Sequence, residues 1–206
     1  MRRIRKQANA FTLVELLVVI GIIAILMGLL FAGGRAVQQQ AKRTQAKNDL
    51  AQIVTAINAF YTEYGRYPLP AGTTTDMIYG PGATLNNDVL FDVLRNNTDP
   101  SGPNLATVTS LNPRQIVFIS PPYVKDPGTP VSGIGTVTGA RQYYDPWGMP
   151  YAIEVDGNYN NQIDINPYTA NAGPSPLQAG VIAWSLGSDH LKGSDLAASD
   201  DVISWQ

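Results

Sequence analysis

The chain has 206 residues, a formal net charge of −2 and no cysteine. That length holds one ordinary domain plus an extension, and the missing thiols exclude disulfides and thiolate metal sites. From Asp145 onward eight carboxylates face a single base, Lys192, a balance that argues against nucleic acid and is compatible with a bound cation or with plain solubility.

Four of the 14 basic residues, Arg2, Arg3, Arg5 and Lys6, precede the first apolar run. That run, Phe11 to Ala32, reads FTLVELLVVIGIIAILMGLLFA, with only Thr12 and Glu15 polar. As a helix it would span about 33 Å at a rise of roughly 1.5 Å per residue, close to a hydrocarbon core of about 30 Å. Basic residues before it predict a cytoplasmic N-terminus and an exported remainder. An ordinary secretory signal would have an apolar core of about 7–15 residues followed by a small-residue cleavage site. Here the run is longer, and Ala8-Asn9-Ala10 comes before it.

Glu15 is the odd residue, because a carboxylate in an apolar span is costly. It can snorkel toward the headgroups, being four residues past Phe11. It can also take a partner. A cut before Phe11 would create an α-amino group one turn away or on the next subunit. A buried carboxylate–ammonium pair of that kind would set the register between packed helices.

Ala10-Phe11-Thr12-Leu13-Val14-Glu15-Leu16-Leu17-Val18-Val19-Ile20 resembles the class III (prepilin) signal of type IV pilins and type II secretion pseudopilins. The resemblance implies cleavage between Ala10 and Phe11 by prepilin peptidase, methylation of the Phe11 amine, and Glu15 as the assembly residue. The family usually carries Gly before the cut, where this chain has Ala10. The expected segments are a leader over 1–10 and a transmembrane and assembly half-helix over 11–34. An amphipathic half-helix over 35–65 and a globular head over 66–206 follow.

From Arg35 the pattern turns amphipathic. Ala46, Leu50, Ile53/Val54, Ile57, Phe60/Tyr61 and Tyr64 recur at steps of three and four. Gly65 is a natural helix terminator and Pro68 confirms the stop. One nearly continuous helix is expected from about Phe11 to Tyr64. Gly33-Gly34 interrupts it, either as the point where the chain leaves the bilayer or as a soft spot. The end of this stretch, Tyr64-Gly65-Arg66-Tyr67-Pro68, resembles the helix end of the major pseudopilin.

Leu69 to Arg141 is rich in Gly, Pro, Thr and Asn and reads mainly as loop. Within it, Asp88 to Arg95 predicts a short helix capped by Asn87 or Asp88. Arg114 to Ile119 predicts a short strand or a hydrophobic tether. Beyond it, strands are expected at Tyr151–Val155, Gly180–Leu186 and Val202–Trp205, separated by turn signals and so antiparallel. Asp145-Pro-Trp-Gly-Met-Pro-Tyr151, then Trp184-Ser-Leu-Gly-Ser-Asp189, then Asp200-Asp-Val-Ile203 resemble the C-terminal signature of major pseudopilins.

In that family the loop between the last two strands binds Ca²⁺. The resemblance implies Asp189, Asp200 and Asp201 as side-chain ligands and the Leu186 carbonyl as a further donor. Three carboxylates closing one loop suit an ion that takes six to eight oxygens; a solvated acidic loop is the plainer alternative. Asp156, Asn158, Asn160 and Asp164 form a second ladder of EF-hand-like spacing, but Pro167 stands where the bidentate Glu should be. A polar hairpin turn explains that ladder as well.

His190 is the single histidine and sits in an acidic loop, so a triad or histidine metal cage has little to build on. No nucleophile elbow, P-loop or dinucleotide fingerprint occurs, and no enzyme activity is expected. The fold expected is α+β, pilin-like, with a long N-terminal helix packed on a small antiparallel sheet. The expected function is a subunit of a type II secretion pseudopilus, a homo-oligomeric filament. It would be made with other pseudopilins by an assembly platform in the bacterial inner membrane. The alternatives are a type IV pilin or minor pilin for adhesion, motility or DNA uptake, and a membrane-anchored binding protein that never polymerises.

Overall fold

A computed structural model describes residues 11–137 and 140–206, apart from the side chains of 29–35, 137 and 140. Elements follow in the order α1 (Leu13–Tyr64), β1 (Met77–Tyr79), α2 (Asp88–Leu94), α3 (Leu105–Leu111), β2 (Gly133–Val137), β3 (Ala140–Tyr144), β4 (Ala152–Val155), β5 (Val181–Ser185) and β6 (Val202–Ile203). The chain divides into two units, Met1–Ala41 and Lys42–Gln206. The expected leader, 1–10, lies outside the described residues.

In the first unit the apolar side chains from Phe11 to Met27 are exposed all round the helix. Among the described residues, no helix is long and apolar enough to cross a membrane. α1 runs unbroken through Gly33-Gly34, while the side chains around the pair lie outside the described residues.

The second unit is built on the rest of α1. Ala46, Leu50, Ile53, Ile57 and Phe60 are fully buried, the stripe that the three- and four-residue steps predict. Each of the larger side chains, Leu50, Ile53, Ile57 and Phe60, stabilises by about 1.5–3 kcal/mol when fully buried. Gly65 ends the helix at φ +65°, donating its N–H to the Tyr61 carbonyl at 2.8 Å. That bond closes a left-handed cap which a Cβ would disfavour.

A four-stranded antiparallel sheet runs in the order β1-β4-β5-β6. Ile153, Val155, Val181 and Ala183 join the core that α1 enters. Ala152, Ile182, Trp184 and Ile203 alternate to the opposite face, as strand pleating requires. That opposite face is covered too. Ile163, Tyr168, Ala172 and Leu177, from the long β4–β5 connection, form a second core on it. Hence β4 and β5 are buried along their whole length.

The stretch read mainly as loop also holds structure. β1 pairs with β4, β2 pairs with β3 as a separate hairpin, and α3 follows α2. The glycines of β2 mark close packing: a Cβ on Gly133 would stand 2.6 Å from the Pro122 carbonyl oxygen. Of the two forms expected for Arg114–Ile119, the tether is found. The Phe118 N–H donates to the Leu94 carbonyl at 2.8 Å, and Ile119 is buried. Asn87 does precede α2, but its side chain makes no cap. It donates instead to the Tyr143 and Tyr151 carbonyls at 3.1 and 2.8 Å and accepts the Tyr143 N–H.

Candidate functional site

The start of α1 is closed by its own side chains. The Thr12 N–H donates to Glu15 Oε2 at 2.9 Å, the Thr12 hydroxyl donates to the same oxygen at 2.7 Å, and the Glu15 N–H donates to Thr12 Oγ1 at 3.2 Å. This is a reciprocal capping box, with Thr12 at the N-cap and Glu15 three residues on. It satisfies two backbone donors that helix geometry leaves orphaned. The Thr-x-x-Glu spacing is its sequence signal, so Glu15 has a capping role beside the snorkelling and assembly roles expected of it. Phe11 is exposed beside this box; Ala10, the other side of the expected cut, lies outside the described residues.

At the other end of the chain, Asp189, Asp200 and Asp201 each offer an oxygen, all within 4.8 Å of one another. One oxygen of each is braced. Asp189 Oδ1 accepts the Leu191 N–H at 2.9 Å, Asp200 Oδ2 accepts the Ser188 N–H at 2.6 Å, and Asp201 Oδ2 accepts the Gly193 N–H at 2.9 Å. Oδ1 of Asp200 and Oδ1 of Asp201 are buried and make no hydrogen bond. The Tyr168 hydroxyl lies near Asp201 without reaching hydrogen-bond geometry. Two unsatisfied buried carboxylate oxygens are expensive unless a cation takes them, and three such groups are the donor chemistry of Ca²⁺. The residues therefore fit the ion.

The backbone around this cluster is pinned from a distance. Asp145 Oδ1 accepts the N–H groups of Trp147, Gly148 and Met149 at 2.7–2.9 Å. Its Oδ2 accepts the Ser185 hydroxyl at 2.5 Å. Ser185 Oγ in turn accepts the Gly187 N–H at 3.2 Å. Gly187, next to Leu186, sits at φ +66° against Asp200, and a Cβ there would stand 2.5 Å from Asp200 Oδ1. The Asp145-Pro-Trp-Gly turn thus holds the strand end from which the acidic loop departs. Burial pushes the Asp145 carboxyl up, and its hydrogen bonds offset only part of that.

Asp156, Asn158, Asn160 and Asp164 also come together, as a hydrogen-bonded turn. The Asn158 and Asn160 side-chain amides donate to the two oxygens of Asp164 at 2.9 and 2.8 Å, and Asp156 accepts the N–H groups of Asn160 and Asn161. Asn161 takes the left-handed conformation at φ 62°. These bonds favour the polar turn over the ladder of ligands. His190 is exposed and its Nε2 lies 3.2 Å from the Trp147 carbonyl oxygen.

Residues 5–31 match the family described as "Prokaryotic N-terminal methylation motif". Over 65 residues the chain is 34% identical to the "Type IV major pilin protein PilA" of Myxococcus xanthus (strain DK1622), a match covering 32% of this chain and 30% of that protein. The chain thus matches under a third of that relative's length. No solved structure matches the chain significantly. The matched motif contains Ala10, Phe11, Thr12 and Glu15, so the chain carries a prepilin-type methylation motif at the start of α1 and resembles a type IV pilin over part of its length.

Proposed function

We propose that this protein is a structural subunit of a cell-envelope filament, cut between Ala10 and Phe11, methylated on the Phe11 amine, and assembled through α1. The observation that carries this reading is the methylation motif over residues 5–31 on a helix whose apolar side chains are exposed from Phe11 to Met27. An apolar surface of that extent calls for a covering. A bilayer supplies it before assembly and sister helices supply it afterwards. Glu15 then pairs with the Phe11 amine of a neighbouring subunit, fixing the axial register.

The finer reading is a type II secretion pseudopilus of the inner membrane and periplasm. It is supported by the Asp145-Pro-Trp-Gly turn and by an acidic loop fit for Ca²⁺. Asp189, Asp200, Asp201 and the Leu186 carbonyl would hold that ion, which supplies positive charge that neutralises the carboxylates and ties the loop before β6. A type IV pilin is the second reading, favoured by the similarity to the Myxococcus pilin. Replacing Glu15 by Leu tests the shared part. Filaments sheared from cells and seen by electron microscopy should disappear while the protein stays membrane-bound; undiminished filaments would refute assembly through α1. Loss of protein secretion on deletion of the gene marks the pseudopilus, and loss of surface pili marks the pilus.

A further inference from the structure

The sheet face opposite α1 is not fully filled by the second core. In the antiparallel register Ile78 stands opposite Glu154, and Glu154 opposite Ile182. Beside them opens a groove of about 1000 Å³ in which Ile78, Met149, Ile165 and Trp184 form apolar wall. Ile165 is 74% exposed, an unusual placement for an isoleucine beside a cavity. Glu154 lines the same groove while only 5% exposed, and its Oε2 has no hydrogen-bond partner.

The charges there are lopsided. Asp76, Glu154 and Asp164 line the groove against Lys192. Lys192 is already engaged, donating to the Pro167 carbonyl at 2.6 Å and lying 5.6 Å from the Tyr168 ring centre. Asp76 accepts the Gly157 and Asp164 N–H groups, and Asp164 is held by two asparagines. Glu154 is therefore the group left to be answered. A bare metal ion is a poor candidate. Among the described residues the one group of three or more carboxylates close enough to share an ion is Asp189, Asp200 and Asp201, outside this groove. Burial, and then the charge of Asp76, push the Glu154 carboxyl up to about 7, and the Lys192 charge offsets only part of that, a burden that a positive charge placed directly on Glu154 would relieve.

We propose that this groove binds an organic ammonium group on an apolar body, the ammonium on Glu154 and the body against Ile78, Ile165 and Trp184. A small free amine and a lysine side chain flanked by apolar residues share that chemistry. The pattern is that of ligand sites in general, an apolar wall with few convergent polar groups.

The test uses the full chain in detergent, titrated at pH about 8, where Glu154 is charged. Saturation-transfer NMR follows phenethylammonium, neutral 2-phenylethanol and the capped peptide acetyl-Leu-Lys-Leu-amide. Saturable binding is expected for at least one of the two amines and not for the alcohol, and whichever amine binds more tightly identifies the source. Glu154→Gln, which keeps the side-chain shape, should weaken that binding about tenfold or more. Ile165→Ala, at an exposed position with little folding risk, should weaken it several-fold. Partition into detergent is the same for every variant and cancels. The proposal is overturned if the alcohol binds as well as the amines, if neither amine saturates, or if either Glu154→Gln or Ile165→Ala binds like the parent.

Discussion

Thr12 and Glu15 close the first turn of α1 on themselves, so Glu15 carries a local role as well as the proposed intersubunit one. The two roles separate by substitution. Thr12→Ala removes the cap, costing about 1 kcal/mol in the first turn, and leaves the charge; filaments should still form. Glu15→Gln keeps a capping group but removes the charge, and filament yield should collapse. The opposite ranking in sheared-filament assays would make the cap, and not the charge, the assembly determinant. Asp145 shows the cost of one buried carboxylate with four donors. Asp145→Ala should lower unfolding free energy by about 3 kcal/mol or more, read by denaturant melts, because three backbone N–H groups and the Ser185 hydroxyl lose their acceptor. Asp49 gives a pH signature. Burial raises its carboxyl above the ordinary value, and hydrogen bonds from Tyr151 and Tyr143 only partly offset this. A raised folded-state value means that its contribution is fully present below the unfolded value and is lost as pH rises through the folded one. Asp49→Asn should therefore remove a contribution that raises the melting temperature as pH falls from neutral toward about 4, read by comparing the melting temperatures of variant and parent across that range. An unchanged profile would place the pH dependence elsewhere.

Among the elements, the β5–β6 connection is the one to which the proposed reading assigns an ion. With Ca²⁺ bound to the folded state alone, stability rises with the logarithm of free ion. Calcium should raise the melting temperature, a chelator should reverse the rise, and Asp201→Asn should abolish it. A melting temperature indifferent to calcium in the parent protein would leave the loop as a solvated acidic turn. The elements differ in how plainly the residues announce them. The buried stripe of α1 and the run Val181–Ser185 are legible because continuous apolar periodicity has few other uses. β1 and β2 are not. β1 is three residues long, and β2 carries Gly133 where a Cβ would strike Pro122, so a residue that signals a loop marks close packing instead. The second core escapes reading because Ile163, Tyr168 and Leu177 are scattered through a polar connection with no period. Asn87 stands where a cap is expected but answers two distant carbonyls, a tertiary demand that local spacing does not encode. The acidic cluster is legible by resemblance; the bracing of one oxygen on each carboxylate is visible only in three dimensions.

For the whole molecule, the two units carry different burdens. Lys42–Gln206 has its own buried core, from Ala46 and Leu50 through Val202, while the apolar side chains from Phe11 to Met27 are exposed. Expressed alone, residues 42–206 should therefore be a folded monomer by sedimentation and circular dichroism; aggregation would assign part of the head's stability to the N-terminal unit. The central claim is that the N-terminal segment is processed and then used for assembly. Intact mass of the protein extracted from cell membranes tests it most directly. The expected mass is that of a chain beginning at Phe11 and carrying one methyl group. A population that keeps residues 1–10 and never enters a filament would contradict it.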